Sequence, residues 1–425
     1  MERGHLLELL KNGALLERLA PVYGPDAREA CGRLEQLVRE YAGTFPSGAG
    51  DDIWLFSAPG RVELAGSHTD HQRGRGLAAA VNLDTIACAV PNGSGTIRIK
   101  SRNHRMAAID LRDLDQRPDE RGSSPSLVRG AAARLRQLGY AVGGFDAYTT
   151  SIVPRGGGMS SSAAFEVLAV TIMNHLFCGG ALDCLQTAQV AQYAENVYFG
   201  KPSGPLDQLS CAFGGVIAAD FRDPLSPRVR RLPLNLEAYG FALCVVDTRA
   251  SHADLVGDFA AIPREMGQVA ACLDKSFLAE TDYRQFLQEL PRLRAACGDR
   301  AVLRAYHFFQ EDRRVLRQCG DLERGDFADF LRCTRASGRS SFLYLQNASN
   351  HADSRCQPLA VLQALAEELL EESGAVRIQG GGFAGTIEVL VPLERLDRFV
   401  RGMEAGGAAC YVPRLREAGA VLLVS

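Results

Sequence analysis

The segment Pro154-Arg155-Gly156-Gly157-Gly158-Met159-Ser160-Ser161-Ser162 joins a glycine run to a serine run and then opens onto an apolar stretch. Glycines let backbone amides approach an anion with no side chain in the way, and they tolerate left-handed backbone. Phe165, Leu168, Ala169, Ile172, Met173 and Leu176 recur at helical spacing, so the glycines stand just before a helix N-terminus. Free amides and the positive end of the helix dipole then face a ligand. Residues 156 to 162 therefore read as a phosphate cradle. No Lys follows the glycines, which sets the segment apart from the P-loop pattern G-x-x-x-x-G-K-[ST]. A serine-capped glycine loop with no ligand is what this segment, taken alone, leaves open.

Three other polar groupings stand out. Ala58-Pro59-Gly60-Arg61-Val62-Glu63-Leu64-Ala65-Gly66-Ser67-His68-Thr69-Asp70-His71 is dense in polar groups yet flanked by strand-like sequence. His68, Asp70 and His71 have neither the helical spacing nor the cysteine companions of a zinc site, which argues against a metal there. Further on, Tyr193-Ala194-Glu195-Asn196 precedes Gly200-Lys201-Pro202-Ser203-Gly204-Pro205-Leu206-Asp207-Gln208. Pro205 suits the first turn of a helix through Leu209 and Cys211, with Asp207 near its positive end. An ionised carboxylate there can accept a proton from a substrate hydroxyl, and helix capping is its other reading. The late run Gln379-Gly380-Gly381-Gly382-Phe383-Ala384-Gly385 formally contains G-x-G-x-x-G, but the strand-like Thr386-Ile387-Glu388-Val389-Leu390-Val391 follows it. A dinucleotide fingerprint needs a helix there, so a glycine turn between strands is expected instead.

The elements that must carry these groups mix α and β. One or two amphipathic helices are expected over residues 1 to 42, a turn at Phe45–Gly50, and a strand from Ile53 to Phe56 leading into the first motif. Strands are expected at Leu77–Val90 and Gly95–Ser101, with Pro91-Asn92-Gly93-Ser94 as hairpin chemistry between them. A helix at Ser126–Leu138, a strand at Phe145–Val153 and a helix at Leu185–Phe199 stopped by Gly200 complete the first half. Strands at Val216–Asp220 and Phe241–Asp247, helices from Arg264 to Glu372, and late strands at Ala375–Ile378 and Thr386–Val391 make the second. At 425 residues, 46% of them hydrophobic, the chain has room for two domains of ordinary size. With 47 basic against 50 acidic residues it has no basic surplus for nucleic acid or anionic membrane, so small-molecule partners are expected. Twelve scattered cysteines without a C-x-x-C pair, an N-terminal stretch broken by charge, and no long apolar run point to a cytoplasmic protein.

Taken in order, Pro59-Gly60-Arg61-Val62 with Gly66, His68, Thr69 and Asp70, then Gly156 to Ala163, then Gly380 to Gly385 resemble the three motifs of the GHMP family of small-molecule kinases, its galactokinase branch in particular. The resemblance implies an α+β, two-domain fold with the active site in the cleft between domains. It implies an N-terminal helical extension over 1–50, an ATP-binding domain over 51–213 and a C-terminal domain over 214–425. ATP phosphates would lie over Gly156–Ser162, with Mg²⁺ on Ser162 and Glu195. Asp207 resembles the family's general base and Arg61 its electrostatic partner. Ser67, His68, Asp70, Gly204, Asp207, Phe259 and Gly381 fall at positions that would meet the sugar.

Two places depart from the galactokinase pattern. Ser67 stands where the G-E-H-T-D-Y run has Glu, and His71 where it has Tyr. Phe259, beyond Ser251-His252-Ala253-Asp254, stands where a sugar-contacting Tyr is usual. The expectation is thus an ATP-dependent galactokinase forming galactose 1-phosphate, with another hexose, an amino sugar or a cyclitol as the alternative acceptor. A non-catalytic sugar sensor is disfavoured by the intact serine motif and the presence of Arg61, Glu195 and Asp207. The Thr69-Asp70 pair argues against an isoprenoid or amino-acid alcohol.

Overall fold

The computed structural model describes residues 1–45, 52–102, 104–250, 256–349, 353–383 and 385–425. The Pro46–Gly50 turn, the Ser251–Asp254 segment and Ala384 of the late motif lie outside them. Three helices open the chain, α1 (Arg3–Asn12), α2 (Leu16–Tyr23) and α3 (Ala27–Thr44). There follow β1 (Trp54–Ala65), β2 (Arg75–Pro91), β3 (Thr96–Ser101), β4 (His104–Arg105), β5 (Ile109–Asp110), α4 (Ser124–Gln137), β6 (Phe145–Ser151), α5 (Ser161–Phe177), α6 (Cys184–Tyr193) and α7 (Leu206–Phe213). Next come β7 (Val216–Asp220), β8 (Arg228–Leu232), β9 (Phe241–Asp247), and the helices α8 (Val256–Cys272), α9 (Tyr283–Gln288), α10 (Leu290–Cys297), α11 (Asp299–Arg324) and α12 (Phe327–Ser340). The chain closes with α13 (Pro358–Leu370), β10 (Ala375–Gln379), β11 (Thr386–Pro392), α14 (Leu396–Ala405), β12 (Ala409–Tyr411) and β13 (Val421–Val424).

Two sheets organise these elements. The larger runs β13-β1-β2-β6-β3-β4, with β5 on β3 and the β7–β8 pair on β2. The smaller is antiparallel, in the order β10-β11-β9-β12. The larger sheet draws on chain from both sides of residue 214, since β7, β8 and β13 all join it. No helix among the described residues is long and apolar enough to cross a membrane.

The long strand β2 is buried on both faces, which is why its sequence is an almost unbroken apolar run. Ala87 and Ala89 pack toward the core that includes α5, and their small size lets helix and sheet approach. Ile86, Cys88 and Val90, pointing the other way, pack with Leu6, Leu34, Leu37 and Val38 of the N-terminal helices. The N-terminal extension is thus the second cover of the sheet. It comprises three helices rather than one or two, because Gly13 and the Gly24–Pro25 turn interrupt the periodic pattern.

The hairpin expected at Pro91–Ser94 does not form. Strand β6 lies between β2 and β3, antiparallel to the first and parallel to the second. Gly144 wedges the turn open, since its N–H donates to the Ser94 carbonyl at 3.0 Å and its own carbonyl accepts from Asn92 N at 3.1 Å. The Asn92 side chain adds a bond to Asp146 Oδ1 at 2.8 Å. Asn-Gly chemistry sets a tight turn, but a two-strand register must be available to use it.

Candidate active site

Arg61 lies on β1 where its register with β2 shifts, between Pro59 and Arg61, and such a bulge re-aims a side chain. The preceding Gly60 has no room for a side chain: a Cβ there would lie 2.8 Å from the Met159 carbonyl. That close approach lets the Arg61 N–H donate to the same carbonyl at 3.1 Å, which ties strand to glycine loop. The Arg61 side chain, 6% exposed, grips Asp207 with two parallel bonds, Nε to Oδ1 at 2.6 Å and Nη2 to Oδ2 at 2.6 Å. Its Nη1 donates to the Gly158 carbonyl at 2.5 Å.

Asp207 occupies the first turn of α7 behind Pro205, and its side chain is 31% exposed. Burial would raise its pKa, but the Arg61 charge and bonds and the Ser160 hydroxyl outweigh it and hold the carboxyl below its ordinary value. Ser160 donates to Asp207 Oδ2 at 2.5 Å. It sits in left-handed backbone at the head of α5 and makes no side-chain cap, so the hydroxyl that could have capped the helix serves the carboxylate. Gly156 and Gly158 are also left-handed, at φ 76° and 68°. A Cβ on Gly158 would lie 2.0 Å from Thr386 Oγ1, which seats the loop directly against β11. Gly157 and Met159 are buried, while Gly156 and Ser162 are exposed.

Glu195 arises where α6 widens into π geometry over Ala194–Phe199, a distortion found often at functional sites. Its carboxylate, 4% exposed, accepts from Lys201 Nζ at 2.9 Å, from the Ser203 hydroxyl, and from Gln208 Nε2 at 2.8 Å. The same Gln208 amide donates to Glu166 Oε2 at 2.9 Å. Glu166 follows Ser162 by four residues, hence on one face of α5, and Gln208 links its carboxyl to that of Glu195. Burial, reinforced by neighbouring Glu195, pushes the Glu166 carboxyl well above its ordinary range. Ser162 and Glu195 each offer only oxygen donors, the kind a hard divalent cation takes.

The first motif turns back at Gly66, whose φ is 93°, with the buried Thr69 hydroxyl donating to its carbonyl at 2.8 Å. His68 leaves that turn in left-handed backbone and bonds the Gly381 carbonyl through Nε2 at 3.1 Å. A carbonyl only accepts, so Nε2 bears the proton. Burial, aided by His71, pushes the ring pKa down to about 3, and His68 stays neutral. Asp70 lies against Gly204 so closely that a Cβ there would fall 1.7 Å from Oδ2. Ser67 is fully buried, its carbonyl receives His307 Nε2 at 3.1 Å, and its hydroxyl has no partner among the described residues. A Cβ on Gly381 would lie 2.3 Å from the Phe259 ring, which stacks edge-on with Phe383 at 5.2 Å.

The structure brings Arg61, Asp207, Gly158 and Ser160 into direct contact, and links His68 to Gly381 and Asp70 to Gly204 by close approach. Gln208 links Glu195 to Glu166, and no bond joins Ser162 to Glu195 among the described residues. Sequence reasoning missed Glu166, Gln208 and Lys201. A signal existed for Glu166, a lone carboxylate in the otherwise apolar α5. Asn347 was missed too: it is buried, and its Nδ2 donates to the Gly381 carbonyl at 3.2 Å.

The chain is similar to known proteins over most of its length. Residues 126–215 match the GHMP kinases N terminal domain, and residues 40–91 match the galactokinase galactose-binding signature. The galactokinase of Streptomyces coelicolor is 34% identical over 398 residues, covering 91% of this chain and 96% of that protein. The chain belongs to the galactokinase branch of the GHMP kinases. A second galactokinase, from Mycobacterium tuberculosis, is 32% identical over 80% of this chain and 89% of its own length. Lactococcus lactis galactokinase, solved in complex with galactose, superposes with a TM-score of 0.79 at 23% identity, over 92% of this chain and 99% of that one. The two-domain GHMP-kinase fold is therefore shared. Membership of this family makes the chain a kinase that transfers phosphate from ATP to a sugar hydroxyl.

Proposed function

We propose that this kinase phosphorylates the anomeric hydroxyl of galactose, with Asp207 as the proton acceptor. The observation that carries the reading is the Arg61–Asp207 pair, set between the glycine loop on one side and the Asp70–Gly204 contact on the other. A hydroxyl bound there meets the carboxylate, and the phosphates of ATP meet the amides of Gly156–Ser162. Oδ1 of Asp207 accepts one bond, from Arg61, and each carboxylate oxygen has two lone pairs, so one remains for a substrate hydroxyl. The lowered pKa makes Asp207 a weak base, and a sugar hydroxyl is far less acidic than an aspartic acid. The proton therefore passes to Asp207 late, as the hydroxyl oxygen bonds to phosphorus and loses its basicity. Phosphoryl transfer through a loose transition state asks mainly for alignment and charge stabilisation, which the Arg61 guanidinium and the loop amides supply. Mg²⁺ suits the oxygen donors Glu195 and Ser162, and when bound it neutralises phosphate charge. Ser67, His68, Asp70, Gly204, Phe259 and Gly381 would line the sugar. Twelve free cysteines support a cytoplasmic setting.

A second acceptor is favoured by one observation. Ser67 brings a buried hydroxyl without a partner among the described residues and Phe259 an apolar ring, so this pocket offers a different polar pattern to an incoming ring. ATP consumption by the purified protein with Mg²⁺ against galactose, glucose, N-acetylgalactosamine, arabinose and inositol tests both. Turnover with galactose is expected, and Asp207→Asn should lower kcat by about 10²–10⁴-fold. Turnover with another acceptor only would make Ser67 and Phe259 the specificity determinants.

A further inference from the structure

Gln379 is the last residue of β10, where the glycine turn Gly380–Gly382 begins, and it is 2% exposed. Its side-chain oxygen accepts the backbone N–H of Glu63 at 3.1 Å, two residues beyond Arg61 on β1. Its side-chain nitrogen donates to the Gly158 carbonyl at 3.1 Å. That carbonyl is the one Arg61 Nη1 binds at 2.5 Å. The stem is packed as well as bonded, since a Cβ on Gly158 would lie 3.1 Å from Gln379 Cγ. One amide therefore spans the strand that carries Arg61, the glycine loop, and the turn whose Gly381 carbonyl receives His68.

We propose that Gln379 is a positioning residue for phosphoryl transfer, fixing the Gly158 carbonyl against Arg61 so that the glycine loop and the Arg61–Asp207 pair keep one mutual geometry. The inference rests on the reading above, in which that loop holds the phosphates of ATP. A carbonyl oxygen has two lone pairs, and here the guanidinium takes one and the Gln379 amide the other. Gly158, in left-handed backbone, offers little intrinsic resistance to rotation of the peptide that joins it to Met159 and carries this carbonyl. Without the amide donor that peptide is held from one side only, and its rotation would turn loop amides away from the phosphates. Misplacement of this kind falls on the chemical step, because reacting atoms must be aligned to within a fraction of an ångström. Both polar atoms of Gln379 are taken by backbone groups, so its effect passes through Gly158 and β1.

The test compares wild type with Gln379→Met and Gln379→Glu, measuring kcat and both KM values across pH. Methionine keeps the bulk and removes both bonds. An ionised glutamate has the shape of glutamine but cannot donate to Gly158, whereas its protonated form can. Gln379→Met is expected to lose about 10–100-fold in kcat at every pH, with the sugar KM within about twofold of wild type. Gln379→Glu is expected to show a similar loss at high pH and to recover as pH falls, through a titration that wild type lacks and that burial displaces upward from the ordinary glutamate range. Should Gln379→Met fail to fold, Gln379→Glu decides alone, because its low-pH form is the same protein with the bond restored. Unchanged kinetics in the variants beside an active wild type would overturn the inference and leave the functional reading standing, as would a loss in Gln379→Glu that is flat with pH. A wild type that turns over no sugar would overturn both.

Discussion

Arg61 binds Asp207 through both carboxylate oxygens, and this fixes the proposed base at the expense of its basicity. An acid whose pKa is lowered in the folded protein stays ionised to lower pH, so the acid limb of kcat/KM belongs below the ordinary aspartate value of about 3.9. A pH–rate profile, run where the fold is intact, checks this, and an acid limb above 5 would assign the limiting group elsewhere. The proposed sugar side depends on one missing atom. Gly204→Ala would place its Cβ 1.7 Å from Asp70 Oδ2 and 2.3 Å from Cγ, so Asp70 must move. The sugar KM is expected to rise by about tenfold or more, since a displaced, largely enclosed polar group costs roughly 1–3 kcal/mol, while the ATP KM stays near wild type. An unchanged sugar KM would remove Asp70 from the acceptor pocket.

The elements behind these residues show what a sequence discloses and what it withholds. Helical periodicity revealed the N-terminal helices, each of which buries one apolar stripe, whereas the apolar recurrence that marked α5 belongs to a helix buried on every face from Glu166 to Asn174. The three motifs were legible since glycine and charged residues inside apolar flanks have few structural explanations. The partner of β3 was not legible. Asn92-Gly93 is written locally, whereas the insertion of β6 beside it depends on Gly144 and Asp146, some 50 residues away in the chain. Gln208 was equally hidden, as its role lies in joining Glu166 to Glu195 across three helical segments. The packing role of the extension gives a prediction at this scale. Leu34 of α3 is fully buried against the outer face of the sheet, remote from Arg61 and Asp207. Leu34→Ala should cost about 2–5 kcal/mol of stability, read by chemical denaturation, and leave kcat unchanged at low temperature. A kcat that falls in the folded variant would give the extension a part in catalysis beyond covering the sheet.

At the scale of the whole molecule, the two sheets meet through charge as well as through the motifs. Arg377 of β10 is fully buried and donates to Glu63 of β1 at 2.8 Å, while Glu388 sits opposite on β11 with its nearest oxygen 3.8 Å from Arg377. Glu311 of α11 joins the same region, accepting from the Gly66 N–H at 3.2 Å and from the Ser337 hydroxyl at 2.6 Å. One guanidinium thus faces two carboxyls, and it bonds Glu63. Burial, only partly offset by Arg377, pushes Glu388 from 4.5 up to about 8, and neither of its oxygens has a hydrogen-bond partner among the described residues. The folded protein therefore keeps a proton that the unfolded chain releases above the ordinary glutamate range. Stability from this group is full below that range and is lost as pH rises toward about 8. Glu388→Gln keeps the shape of the protonated acid and has no proton to lose. Its melting temperature should match wild type near pH 5 and exceed it near pH 8 by roughly 2–4 °C, the shift that about 1 kcal/mol gives in a domain of this size. Thermal unfolding of both proteins across that range measures the difference. Parallel pH dependences would mean that Glu388 is ionised in the fold, drawn onto Arg377 as a true ion pair, and the contact between the sheets would then rest on two carboxylates sharing one guanidinium.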